Sequence, residues 1–404
     1  MRILHLLHEP PYPPISGIRC DMWRRLRAFR ALGHAVFAVA WASEAAGEIP
    51  TLTARSVIEA ETEAFVVLPI RRNLATRARR IAHLPRHPSY IASRIPPPDQ
   101  LEPLIARIRD FAPDLVWLEG VHPSWLGLEL KRRLGVPLIY RAHNIEFRYV
   151  AQQARLARPI RLKLALSAGT WGLERAERAL HDAADHVFDI SSDDLAWWHG
   201  QGCDKSEWLA TQADQAVRAT AAIPGEARDI DLLFAGSLSS PNNVAGLEWY
   251  LDEVHPLLAA GDGPMPTLTV AGRRPSSALA ARLREARARL IADPADMVPL
   301  FARARVMLNP ILHGSGVNIK TIDMLATGRP VVTTPMGARG LPAEVVAELD
   351  VAETPELFAQ AIRKRLAQTA SVNRQAMLDR VFGKDAVAVA LSRVEASLMQ
   401  KVPA

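Results

Sequence analysis

Two cysteines in 404 residues, Cys20 and Cys203, exclude a disulfide framework and a cysteine-rich metal centre, and they fit a reducing compartment. No run of 18 apolar residues occurs, so no transmembrane span is expected. The opening residues, MRILHLL, read directly as a strand. They lack the basic stretch, apolar run and small-residue cleavage site of a signal peptide, and none is expected. Aromatic residues are only 6% of the chain and do not interleave with its basic stretches, which argues against a nucleic-acid surface. There is no internal repeat and no low-complexity tract, so solenoid and disordered classes are excluded.

What is present is an α/β rhythm. RILHLL (2–7), AVFAVAWA (35–42), DLVWLE (114–119), PLIYRAH (137–143) and HVFDIS (186–191) are short apolar runs separated by helical stretches, including a long one over 146–183. Continuous apolar strands alternating with helices predict a parallel sheet covered on both faces. A second unit begins at DIDLLFAGS (229–237) and continues through TLTVAG (267–272). The length suits two domains. We expect an N-terminal Rossmann-like domain over 1–207, a connection over 208–228 around Pro224-Gly225, and a C-terminal Rossmann-like domain over 229–383. A last helix over 384–404 follows Phe382-Gly383. Two doubly wound domains should bind ligands beyond the carboxyl ends of their strands, in a cleft between them.

The most informative stretch is VMLNPILHGSGVNIKTIDMLATGRPVVTTP (306–335). Two buried-type strands flank a Gly-Ser-Gly loop and a helix whose apolar stripe is Val317, Ile319, Ile322, Met324, Leu325 and Ala326. Gly328 and Pro330 end that helix. The loop residues Gly314, Ser315 and Gly316, with Val317, allow close backbone approach, and the helix amides beyond them suit an anion. Lys320 and Asp323 lie three apart on one face, placing a phosphate-pairing cation near a ribose-pairing carboxylate.

This segment resembles the donor-site signature of retaining glycosyltransferases of the GT-B fold, glycosyltransferase family 4. The resemblance implies two Rossmann-like domains facing across a cleft, with a nucleotide-sugar bound by the second. It implies that Lys320 and the amides of 314–317 face the donor diphosphate and that Asp323 takes the place of a ribose-binding glutamate, one methylene shorter. His313 stands where the family often has another carboxylate. Gly236 and Ser237 match the strand-to-loop position beside the donor phosphates. The Arg-Lys pair common just after that position is replaced by Ser239, Ser240, Pro241, Asn242 and Asn243. In the first domain Gly17, in the loop HEPPYPPISGIR, matches the family's first-loop glycine, with His8 and Glu9 as weaker candidates. His143 matches a strand-end histidine that contacts the transferring sugar. Glu146 is expected to orient His143 or the acceptor, or to cap the following helix.

The activity so implied is that of a retaining, metal-independent, hexosyltransferase-type enzyme using a nucleoside-diphosphate sugar, with His143 and Lys320 as catalytic residues. No Asp-x-Asp pair at a strand end and no His/Cys cluster is visible, so neither a metal nor another cofactor is expected. Alternatives are a non-catalytic sugar-nucleotide-binding subunit, an epimerase or a phosphorylase of the same fold. Most of the formal net charge of +6 lies in the first half, concentrated in RRNLATRARR (71–80) and RLARPIRLKLAL (155–166). These stretches fit either a solvated basic face or attraction to anionic lipid near a glycan or lipid-linked acceptor. A cytoplasmic location, with contact at the inner face of the membrane, is the matching expectation.

Overall fold

A computed structural model of the protein describes residues 1–157, 159–222, 228–261, 263–314, 316–368 and 375–400. They form two compact units, Met1–Ala210 with the terminal helix Lys384–Gln400, and Thr211–Gly383.

The first unit is built on a seven-stranded sheet. Its strands are β1 (Arg2–Leu7), β2 (Ala35–Ser43), β3 (Ala64–Ile70), β4 (Leu115–Glu119), β5 (Leu138–Ala142), β6 (His186–Asp189) and β7 (Ser206–Trp208), in the order β3-β2-β1-β4-β5-β6-β7. The second unit holds a six-stranded sheet of β8 (Ile230–Ala235), β9 (Leu268–Gly272), β10 (Arg289–Ala292), β11 (Ala304–Asn309), β12 (Val331–Thr333) and β13 (Asp350–Val351), ordered β10-β9-β8-β11-β12-β13. Neighbouring strands in both sheets pair in parallel.

Period-two alternation sends each central strand's side chains to two different cores. Leu4 and Leu6 of β1 join Val39, Leu118 and Tyr140 on one face of the first sheet. Ile3 and Leu7 join Ala38, Trp117 and Ile139 on the other. That second face is covered by the Gly17–Ala31 helix through Met22, Leu26 and Phe29, and by the terminal helix through Val387, Leu391 and Val394. The terminal helix thus belongs to the first unit, although the residues before it belong to the second.

The strands that the apolar pattern failed to mark are β3, β7, β10 and β13, the edges of the two sheets. An edge strand is covered less completely than a central one, so it needs no continuous apolar run. The β10 residues are exposed or half-buried, and β3 carries Pro69, which an edge tolerates. The helical stretch expected over 146–183 is three helices, Glu146–Leu156, Ile160–Gly169 and Leu173–Ala183. Pro159 precedes the second, and Gly172, at φ +69°, starts the third. Within the expected connection 208–228, Gln215–Ala219 is a helix of the second unit, while 223–227, with Pro224-Gly225, lie outside the described residues.

In the second sheet the ends of β8 and β9 meet at two glycines. A Cβ on Gly272 would lie 1.8 Å from the Gly236 carbonyl oxygen and 2.9 Å from Leu238 Cγ. Backbone oxygen cannot yield as a flexible side chain can, so Gly272→Ala should destabilise the protein by about 1–3 kcal/mol, the range for overpacking. Urea unfolding followed by circular dichroism checks this, and an unchanged midpoint would contradict the close approach.

Candidate functional site

In the second unit, strand order reverses between β8 and β11, so the loops after them flank the natural ligand position of an open parallel sheet. Gly236 and Ser237 lie in the first loop. The second holds His313, Gly314, Gly316 and Val317 and leads into the Ile319–Ala326 helix. Ser315 lies outside the described residues. His313 is exposed, an added Cβ on Gly314 would meet nothing within 4 Å, and Gly316 takes φ +65°. The helix cap Asn318 makes no side-chain capping bond. The start of this helix is therefore open backbone with a dipole that favours an anion.

A buried polar knot fixes that helix. Asn309 Nδ2 donates to Thr321 Oγ1 at 2.8 Å, and Thr321 Oγ1 donates to the Gly337 carbonyl at 2.7 Å. Ile322, Met324, Leu325 and Ala326 are fully buried beneath it. Lys320, one residue into the helix, sends its ammonium to Asn243 Oδ1 at 3.0 Å and over the Phe234 ring at 4.8 Å. Asn243 in turn donates to the Ser237 carbonyl at 3.0 Å. Asn243 thus joins the two loops, a role that sequence reading missed because it registered this residue only as a departure from a cationic pattern. Among the described residues Lys320 makes no ion pair, and burial pulls its ammonium down to about 7. Gly236 leaves room for the side chain that holds it, since a Cβ there would stand 3.0 Å from Asn243 Nδ2.

Asp323 turns to another element. Its Oδ1 accepts the backbone amide of Asp214 at 3.1 Å, and Asp214 caps the Gln215–Ala219 helix. The pair expected to share one ligand face therefore reaches different partners, Lys320 the loops after β8 and Asp323 the segment leading into that short helix. Arg273 and Arg274 are exposed after β9, where the Arg274 amide donates to Asp293.

Around His143 the first unit gathers charged residues that the sequence reading did not single out. Residues 5, 117, 119, 139 and 141 share the face under the Gly17–Ala31 helix by strand parity. Glu119 accepts from His5 Nε2 at 3.2 Å, Trp117 Nε1 at 2.9 Å, Arg141 at 3.2 Å and His143 Nε2 at 2.7 Å. Arg141 also forks onto Asp21 of the helix, and Arg25 donates to the Ala210 carbonyl at 2.9 Å. Burial alone would raise the Glu119 carboxyl, but Arg141 and the two histidine hydrogen bonds hold it well below its ordinary range. Burial lowers His5 and takes Arg25 down to about 9. The signal for this network was a His, a Glu and an Arg inside otherwise apolar strands.

For a neutral ring, the network fixes the tautomer of His143. A carboxylate only accepts, so Nε2 must carry the proton on Glu119. In the neutral ring Nδ1 is then an acceptor, and it is buried without a partner. Glu146 opens the Glu146–Leu156 helix, and the amides of Glu146 and Phe147 donate to Glu177 at 2.9 and 3.1 Å. Glu177, rather than Glu146, therefore caps that helix. The Glu146 carboxyl is pushed up by burial to about 7 and stands 3.7 Å from His122 Nε2. Gly17 is the exposed first residue of its helix, after the Ser16 cap, while Glu9 is paired with Arg19 at 2.6 Å.

Asp21, Glu119 and His143 each bring a ligand atom within 4.8 Å of the others, the spacing of a metal set. Arg141 already bonds both carboxylates, so the two negative charges face a permanent cation. That donor set fits a structural ion-pair network better than a divalent ion. No described helix is long and apolar enough to cross a membrane.

Residues 229–368 match the family model for glycosyl transferases group 1. An uncharacterized 44.6 kDa protein in the cps region of Klebsiella pneumoniae is 32% identical over 141 residues, 33% of this chain and 36% of that protein. The alignment thus spans about a third of the relative. Among solved structures, Anabaena HepE in complex with UDP superposes with a TM-score of 0.60 at 15% identity, over 98% of this chain and 100% of that one. Sucrose-phosphate synthase from Thermosynechococcus elongatus gives 0.62 at 15% identity over 100% of both chains. A glycosyltransferase from Rickettsia africae gives 0.62 at 10% identity over 98% of both. Within the second unit, residues 229–368 are thus similar to glycosyl transferases group 1, and the chain as a whole has the GT-B fold.

Proposed function

We propose that this protein is a retaining, metal-independent hexosyltransferase that moves a sugar from a nucleoside-diphosphate sugar to an acceptor hydroxyl in surface-polysaccharide or glycolipid synthesis. The observation that carries the reading is Lys320, a half-buried, partly desolvated ammonium without an ion pair among the described residues, at an open helix start on the switch point of the second sheet. A cation held that way costs stability until an anion arrives, and a diphosphate supplies one. The family match over 229–368, the UDP bound by HepE and the cps-region relative support the reading.

In this mechanism the bond from the anomeric carbon to the diphosphate breaks while Lys320 and the helix amides stabilise the growing charge on the leaving oxygen. The acceptor oxygen then bonds to the same face of that carbon, and its proton passes to the departing diphosphate. In the first unit, the neutral His143 ring, with Nε2 bonded to Glu119, offers Nδ1 as the proposed acceptor for a substrate hydroxyl. Asp323 is the carboxylate proposed to accept from the ribose.

Calorimetry with UDP tests the site. Lys320→Ala should weaken binding by about 1.5–3 kcal/mol, the range for a hydrogen bond to a charged group. Undiminished affinity in the folded variant would remove Lys320 from the site.

The same ammonium predicts a pH dependence. Its folded value of about 7 lies below the roughly 10.4 of an exposed lysine. Without ligand its cost is full below pH 7 and fades as pH rises toward 10, because over that window the unfolded chain binds the extra proton. Lys320→Met should therefore be more stable than the wild type at pH 6.5, with the gap closing by pH 10. UDP favours the charged form, so its affinity should fall as pH rises above 7 in the wild type and lose that component in the variant. Urea unfolding and calorimetry at matched pH values decide both.

The acceptor in this reading is a glycan on a membrane lipid, approached at the inner face of the membrane. Support comes from the Leu74–His83 helix, none of whose side chains is buried, with Leu74 81% and Ile81 65% exposed among Arg77, Arg79 and Arg80. The Ile160–Gly169 helix exposes Ile160, Leu162 and Leu164 beside Arg161 and Lys163. Both pack against the short Ser89–Ala92 helix. Exposed apolar and cationic side chains on adjoining helices suit a surface of anionic lipid. The protein should co-sediment with phosphatidylglycerol vesicles at low salt and release at high salt as the Debye length shortens. Absence of binding at low salt would exclude this contact.

A further inference from the structure

The first sheet has its own point of reversal, between β1 and β4, and the loops leaving those strands carry His8 and His122. The two rings meet edge to face with centroids 4.2 Å apart, and Tyr90 lies edge-on to His122 at 5.4 Å. Arg94 adjoins this group. One of its guanidinium nitrogens donates to the Tyr90 carbonyl at 3.1 Å, and Trp41 Nε1 pins the Arg94 carbonyl at 2.8 Å. Arg94 Nε and His8 Nδ1 are both buried without a hydrogen-bond partner. Among the described residues Arg94 makes no ion pair. The carboxylates whose charge reaches it are Glu48, Glu146 and Glu9. Glu48 accepts the Ser43 amide at 2.8 Å and Glu9 is held by Arg19.

The geometry points to an anion-binding subsite in the first unit, where Arg94, with His8 and His122, takes the phosphate or carboxylate of an acidic acceptor. This rests on the proposed transfer to an acceptor, and it specifies that acceptor's chemistry. A guanidinium presents a planar fork matched to either oxyanion, and a desolvated one is stabilised only when its counter-charge arrives. Burial takes Arg94 down to about 10 and keeps His8 and His122 well below their ordinary value, with Arg94 adding repulsion at both rings. An anion relieves all three. Glu146, raised to about 7 by burial, can meet that anion as a protonated donor. The subsite adjoins the proposed lipid face, since Tyr90 packs on Gly169 of the exposed Ile160–Gly169 helix. The phosphate of a lipid carrier and the carboxylate of an acidic sugar are its two sources.

The test is NMR of the histidine side chains in the full chain, titrated with inorganic phosphate, with glucuronate and with glucose as the neutral control. Phosphate, glucuronate or both should shift His8 and His122 saturably while glucose does not, and the stronger anion identifies the source. Arg94→Gln should weaken that response at least about tenfold, the lower end for a charge-assisted hydrogen bond, and Arg94→Lys should retain part of it. UDP calorimetry on the same samples reports the second unit separately, so loss of one response with the other intact says which reading failed. No saturable shift with either anion, or equal affinity in Arg94→Gln and wild type, would overturn the subsite. Should Arg94→Gln not fold, His122→Gln decides, because unchanged phosphate affinity read on His8 would overturn it equally.

Discussion

The cost of holding a charge away from water organises this molecule. At the carboxyl ends of its two sheets it meets that cost in two ways. Under the first helix the charges are paired, with Asp21 and Glu119 against Arg141 and with histidines supplying further hydrogen bonds. Elsewhere a cation makes no ion pair among the described residues, Lys320 in the second unit and Arg94 in the first. Paired charges lock geometry, whereas an unpaired buried cation is a stored preference for an anion.

The paired set does structural work that chemistry then uses. Glu119 joins β1, β4 and β5 through His5, Trp117, Arg141 and His143, and Arg141 carries the connection to the covering helix through Asp21. Removing one member would leave its partners charged and buried, a larger penalty than the pair itself is worth. By accepting from Nε2, the same carboxylate dictates which nitrogen of His143 is left to accept. A scaffold interaction thereby sets the hydrogen-bonding sense of a candidate substrate contact.

The unpaired set is placed by topology. Lys320 sits beside the reversal between β8 and β11, and His8, His122 and Arg94 gather beside the reversal between β1 and β4. At these points adjacent loops part in opposite directions and leave room that a close-packed sheet does not otherwise offer. Glycine supplies the remaining space. Gly236 has no side chain where the Asn243 amide lies, and Gly272 has none where the Gly236 carbonyl lies.

The sequence by itself determined the alternation of buried strands and helices, because a parallel sheet covered on both faces demands continuous apolar runs. It also determined the strand, glycine loop and helix around Lys320, because those residues lie within thirty positions and obey local rules of spacing. It did not reveal the edge strands β3, β7, β10 and β13, which lack the full burial that writes an apolar pattern. Nor did it show that Asp214 would reach the carboxylate of Asp323, or that Asn243 would hold the ammonium of Lys320 from 77 positions away. His8, Arg94, His122 and Glu146 come from four separate segments, and Asp21, Glu119 and Arg141 from three. Only the tertiary structure decided their company, because electrostatic partners are chosen by distance in space and desolvation, and neither has a period along the chain.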